Sequence, residues 1–198
     1  MQVSAVIRAE GCAAPSRGHV VVNVIASQGA WFAAVLGAAH AREAWGMAVV
    51  ALVIAGHLVA SARPRREAAL VAGAAAVGLG LEWLHLSTGW VAYTGHAAGW
   101  PPTWLVGLWA LFATTLNVSL RWLKGRLVLA SLLGAVAGPL AFVSGARLGA
   151  ATLTEPVASM ALLTVMWAVA LPVLMALSNR FDGVARASAQ EALHARLA

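Results

Sequence analysis

Six long apolar runs decide what this chain can fold into. They cover Val20–Ala39, Ala44–Ser61, Ala68–Leu86, Trp104–Leu120, Leu127–Gly145 and Val157–Leu177. Each has about 17 to 21 residues, the length a helix needs to cross a hydrocarbon layer of about 30 Å. Backbone N–H and C=O groups find no water in lipid, so each run must pair its own and be helical. A transmembrane β-barrel would need strands of about ten residues with apolar–polar alternation, and these runs do not alternate. The expected fold is therefore all-α: a polytopic bundle of six transmembrane helices over residues 20–178. Short tails, 1–19 and 179–198, flank it.

Composition enters as the check. Hydrophobic residues make up 61% of the chain and charged residues 10%, with a mean hydropathy of +0.82. A soluble domain carries about 25% charged residues to cover its surface, so a cytosolic enzyme and a disordered scaffold are both excluded. The net charge of +6 would suggest nucleic acid in a soluble chain. Here the basic residues sort by side instead. Arg8, Arg17, Arg63, Arg65, Arg66, Arg121, Lys124, Arg126, Arg180, Arg186 and Arg196 fall on one side of six crossings, and only Arg42 and Arg147 on the other. The positive-inside rule then places both termini in the cytoplasm. It makes lipid, not nucleic acid, the expected partner.

Tryptophan follows the same frame. Trp45, Trp90, Trp100 and Trp104 fall near one predicted interface and Trp122 near the other, as an aromatic belt does. Trp31, Trp83, Trp109 and Trp167 read as internal packing. The first run could serve as a cleaved leader ending at Ala39-His40-Ala41. Its length exceeds the 7–15 residues of a usual leader, so it is expected to stay as a helix. Cys12 is the only cysteine, which leaves no disulfide and no CxxC motif.

Chemistry is expected where polar groups enter a span, because each is costly there unless paired. Glu82 and His85 lie one turn apart on the third run, with Arg147 at similar depth on the fifth. Asn23, His57 and Asn117 form a deeper layer, with Gln28, Thr114 and Thr115 between the two. Glu82 is the one acid inside a run as delimited here. It is expected either to line a transport or binding cavity with Asn117 and Gln28, or to lock two helices by pairing with Arg147. His57, Asn23 and Asn117 can also act as interhelical glue. His40, His85, His96, Glu43 and Glu82 all fall toward one face, but no HExxH spacing is present. Glu82-Trp83-Leu84-His85 is one copy of an E-x-x-H pair that di-iron bundles use twice. No metal and no cofactor is expected, and no Walker, GxSxG or Rossmann motif occurs. On the fifth run, Gly134-x-x-x-Gly138 and Gly145-x-x-x-Gly149 suit close helix contact, with a kink at Pro139. That helix is expected to pack centrally and to offer a face for homo- or hetero-oligomers.

Three stretches carry a family resemblance. They are Asn23 through Gln28-Gly29-Ala30-Trp31-Phe32; Pro101-Pro102-x-Trp104 with Trp109 and on to Asn117 and Trp122; and Gly134-x-x-x-Gly138-Pro139-Leu140 with Gly145 and Gly149. Together, over about residues 20–178, they resemble the bacterial inner-membrane family known as domain of unknown function 2878. The resemblance implies a small multi-helix membrane bundle. It also implies a setting among lipid-modifying enzymes, such as cyclopropane-fatty-acid-synthase-like methyltransferases. Three functions are open: transport or accessory handling of a lipid or small molecule, a membrane-embedded lipid-modifying enzyme, and a non-catalytic assembly protein.

Overall fold

The computed structural model describes residues 15–96 and 99–184. Six α-helices follow in order: α1 (Arg17–Ala39), α2 (Glu43–Ala60), α3 (Pro64–Ser87), α4 (Thr103–Leu116), α5 (Leu127–Arg147) and α6 (Pro156–Arg180). Five are long and apolar enough to cross a membrane; α4 is shorter. Their outward flanks are apolar: Val59 and Val157 are each 86% exposed and Val128 is 77% exposed. Such flanks need lipid, not water, around them. The fold is that of a polytopic helical membrane protein, as expected.

Helix starts follow local chemistry. Ser16 caps α1 by accepting from the His19 amide at 3.2 Å. Pro64 and Pro156 stand in the first turns of α3 and α6, where a missing N–H leaves nothing unpaired. The helices therefore run a few residues past the apolar runs: α1 opens at Arg17, α3 at Pro64, and α6 continues to Arg180. Tail residues 1–14 and 185–198, with Cys12, lie outside the described residues.

Two expectations change. The first is which helix is central. Gly134 and Gly138 of α5 face α6 of the same chain: a Cβ at Gly134 would fall on the Trp167 carbonyl, and one at Gly138 on the Trp167 ring. The α5–α6 hairpin sits at the side, and α4 is the hub. Nine of the residues of α4 are buried, and it packs on α1, α2, α3 and α6. Gly78 on α3 admits the Trp109 ring as Gly138 admits Trp167. The two indoles stack at 4.5 Å and 13°. The bundle is thus crossed by one layer, Gly78–Trp109–Trp167–Gly138, in which four helices touch.

The second change is the length of α4. The apolar run reaches Leu120, but the helix stops at Leu116, after 14 residues. That is about 21 Å, short of a bilayer. Thr114 and Thr115 turn their hydroxyls back onto the Leu111 and Phe112 carbonyls, each at 2.7 Å. Asn117 leaves the helix to reach α3. A turn and a short 3₁₀ helix, η1 (Arg121–Leu123), complete the crossing. Freed carbonyls at this end are met by side chains: Asn23 donates to Thr114 O at 3.1 Å and Arg121 to Asn117 O at 3.2 Å. Irregular backbone at membrane depth is tolerable when protein pairs it in this way.

Proline is handled similarly. Pro139 and Pro172 lie inside α5 and α6 without ending them. Pro172 cannot donate to the carbonyl of Ala168. Ser131 of α5 donates to that carbonyl instead, at 2.7 Å.

Where the all-α expectation has an addition, it is a two-stranded antiparallel sheet. β1 (Val91–Tyr93) follows α3, β2 (Ala151–Leu153) follows α5, and they pair with Tyr93 opposite Ala151. This sheet marks one end of the bundle and η1 the other. Arg42 and Arg147 are at the sheet end; every other described Lys or Arg is at the η1 end.

Tryptophan placement is also revised. Trp45, Trp100 and Trp122 are exposed, as belt residues are. Trp104 is not a belt residue: it is 3% exposed. Trp83 is not internal: it is 54% exposed, on the outward flank of α3.

Candidate functional site

A crevice of about 890 Å³ opens between α1 and α5. These two helices barely touch, and α4 fills the space behind them as a floor. Phe32, Trp104, Trp109, Phe112 and Phe142 line it, and η1 closes its far end with Trp122. On the α5 wall, small residues (Gly134, Ala137, Gly138, Ala141, Gly145) keep it wide. Its sheet end is roofed by Tyr93 and Ala151, the paired residues of the two strands.

Few polar side chains reach this crevice. Gln28, Glu82, Tyr93, Ser144 and Arg147 do so. Glu82 is 2% exposed. It accepts from Tyr93 Oη at 3.0 Å through one carboxylate oxygen and from Trp109 Nε1 at 2.9 Å through the other. Both donors are neutral. The expected Glu82–Arg147 ion pair is not made: Arg147 is exposed at the crevice mouth, and Glu82 is held by an indole and a phenol. Tyr93 stands in β1, outside the spans. Burial pushes its phenol well above the usual tyrosine range, and the Glu82 charge and hydrogen bond push it the same way. It therefore remains a donor throughout the ordinary pH range.

His85 stands one turn from Glu82 but faces another helix pair. Its Nε2 lies 2.8 Å from Ser159 Oγ of α6, and its ring meets Phe142 edge-on at 5.1 Å. The spacing would suit a base and a hydroxyl nucleophile. Both side chains are fully buried, and neither lines the crevice, so the pair reads as a bridge between α3 and α6.

The remaining expected polar residues gather at the η1 end, around an acid that the apolar runs omit. Glu67 is fully buried in the first turns of α3. Its Oε2 lies 2.8 Å from His57 Nε2. Its Oε1 accepts from Asn117 Nδ2 and from the Gly183 amide, each at 2.7 Å. A Cβ at Gly183 would come within 2.5 Å of the Arg63 carbonyl, so only glycine fits this seat. Lys124 and Arg121 close the cluster from outside through Asp182, at 2.7 and 2.8 Å. Glu82 is therefore not the sole acid in a span, and Asn117 does not share its crevice. Asn23, His57 and Asn117 serve this Glu67-centred clamp and the α4 terminus, while Gln28 and Glu82 share the crevice.

Pro102 caps the start of α4 without a side-chain bond and positions Trp104 under the roof. Trp31 packs edge-on against Phe32 at 5.0 Å on the α1 wall. The outward-facing histidines do not assemble a metal centre: His40 bonds the Leu36 carbonyl and His96 the Trp100 carbonyl. Among the described residues no three His, Cys, Asp or Glu side chains converge.

Glu67, Tyr93, Ser159 and Gly183 were not singled out from the sequence. Pro64 offered a signal for the first: a helix starting there takes Glu67 into its first turns. Tyr93 is the only tyrosine in the chain. The other two have no local signal, because their partners lie 74 and 116 residues away.

Fold and crevice define a class: an integral helical membrane protein with an apolar side crevice and a buried carboxyl at its floor. Within that class the family is explicit. A family described as protein of unknown function, DUF2878, matches residues 20–173, and the chain belongs to it. No curated protein and no solved structure matches the chain.

Proposed function

We propose that this protein handles a lipid or lipid-like amphiphile in the crevice, in transport or as an accessory to envelope lipid metabolism in a bacterial inner membrane. One observation carries the reading: an aromatic-walled crevice of about 890 Å³ with Glu82 at its floor. Sites for small molecules are mostly apolar with a few placed polar groups, and this crevice has that make-up.

The same proposal places both termini in the cytoplasm, on the strength of the basic residues gathered at the η1 end. A C-terminal alkaline phosphatase fusion should then be inactive and a C-terminal green fluorescent protein fusion bright. The reverse pattern would refute the orientation.

Function is tested by lipid profiling of a deletion strain. A changed fatty-acid or headgroup profile, restored by the wild-type protein but not by Glu82→Gln, supports the reading. An unchanged profile, or full restoration by a stably expressed Glu82→Gln protein, counts against it.

A further inference from the structure

The sheet end of the crevice contains an unexplained donor. Trp104 is 3% exposed, and its Nε1 has no hydrogen-bond partner. Every other indole N–H in the crevice floor region is either used, as that of Trp109 is by Glu82, or less enclosed. An orphaned buried N–H forfeits a hydrogen bond of appreciable strength. Native proteins rarely leave one without a reason. Trp104 is held rigidly by Tyr93, whose ring meets it edge-on at 6.0 Å. A second donor stands nearby in the fold. Arg147 closes α5 at the same end and lines the same crevice, with no ion-pair partner among the described residues. It is one of only two described cations at the sheet end.

We propose that this end of the crevice is a headgroup subsite for an anionic amphiphile with a long hydrocarbon chain. The proposal rests on the reading that the crevice holds such a molecule. The anionic oxygens, of a phosphate or a carboxylate, take the Trp104 N–H and the Arg147 guanidinium. An anion fits because both free groups are donors and one is a fixed cation; a guanidinium pairs with either oxyanion in a forked geometry. A cationic headgroup would face Arg147 directly and be repelled. The hydrocarbon fits the remainder. From Arg147 to Leu133 the α5 wall is about 21 Å long at 1.5 Å per residue, beyond half of a hydrocarbon core of about 30 Å. The chain therefore lies along Leu108, Phe112 and Leu133 past the middle of the membrane.

The test measures binding to the purified full-length protein in neutral detergent, by quenching of its tryptophan fluorescence. Probes are hexadecyl phosphate, hexadecanoate, hexadecanol and hexadecyltrimethylammonium, all carrying one bromine on the chain. The two anions should bind at least about tenfold more tightly than the alcohol and the ammonium, a difference of about 1.4 kcal/mol. Arg147→Gln should sharply reduce that preference while hexadecanol affinity stays the same. Trp104→Phe keeps an aromatic ring and removes the N–H; it should weaken the anions about tenfold or more, the loss of one hydrogen bond to a charged acceptor, and leave hexadecanol unchanged. The ratio of phosphate to carboxylate affinity identifies which source of the anion the site prefers. Equal binding of all four chains, with Arg147→Gln silent, would overturn the headgroup subsite and leave the crevice reading intact. Absence of binding by every chain would overturn both.

Discussion

Removing the Glu67 carboxylate should loosen the η1 end of the bundle measurably. In Glu67→Ala three groups lose their partner: His57 Nε2, and the donors Asn117 Nδ2 and the Gly183 amide. A buried donor left unpaired costs about 1–3 kcal/mol in soluble proteins. Interhelical bonds within membranes average about 0.6 kcal/mol, with a maximum near 1.7. Two features limit the loss here. Asn117 Nδ2 retains a 3.3 Å bond to the Phe181 carbonyl, and Gly183 follows α6, where the chain can move out to water. His57 has no such recourse, being 8% exposed. The expected destabilisation is about 2–4 kcal/mol, near the lower part of the range for breaking a buried pair. Reversible unfolding in mixed micelles with rising dodecyl sulfate, followed by circular dichroism, measures it. A double-mutant cycle with His57→Ala should show a coupling of about 1 kcal/mol or more. Limited proteolysis should cut sooner after Arg180 in the Glu67→Ala protein. A stability within about 0.5 kcal/mol of wild type, with full additivity in the cycle, would refute the clamp.

Three further outcomes are expected. Gly138→Leu drives a side chain into the Trp167 ring and should destabilise by about 1–3 kcal/mol with altered tryptophan emission; Gly29→Ala, which meets nothing within 4 Å, should be close to neutral. Ser131→Ala strands the Ala168 carbonyl and should cost about 1 kcal/mol, whereas adding Pro172→Ala supplies a backbone donor for that carbonyl and should recover much of it. As the only tyrosine, Tyr93 can be followed by ultraviolet absorbance. Its phenol pKa is raised from 10.0 in the folded protein, so no tyrosinate should form near pH 10 until the protein unfolds. The linked stability is present below pH 10 and lost as the pH rises from 10 toward the folded-state value; an ordinary titration at pH 10 in the folded protein would contradict the enclosed Tyr93–Glu82 geometry.

Much of the architecture could be read locally. A run of apolar residues long enough to span lipid must be helical, so Leu127–Gly145 and Val157–Leu177 each became a helix nearly as delimited. Proline at a helix start and charge between runs marked the connections. Boundaries failed where side chains compete for backbone, as at Thr114-Thr115-Leu116-Asn117, which ends α4 early. Small-residue spacing showed that Gly134 and Gly138 would be in a close contact, but not with which helix.

What the sequence determined by itself was an all-α membrane fold of six apolar segments, with the basic residues gathered mostly toward one end of the bundle, because these follow from length, hydropathy and charge along the chain. Only the tertiary structure decided which polar groups meet. Glu82 has Trp109 and Tyr93 rather than Arg147, Asn117 has Glu67, and Trp104 keeps a free N–H under the sheet. The physical reason is that a helix fixes the face and depth of a residue, while its partner depends on how neighbouring helices are rotated and spaced. That spacing comes from packing many residues apart: Gly78 and Gly138 admitting two stacked indoles, and α4 standing between α1 and α5 so that the crevice exists.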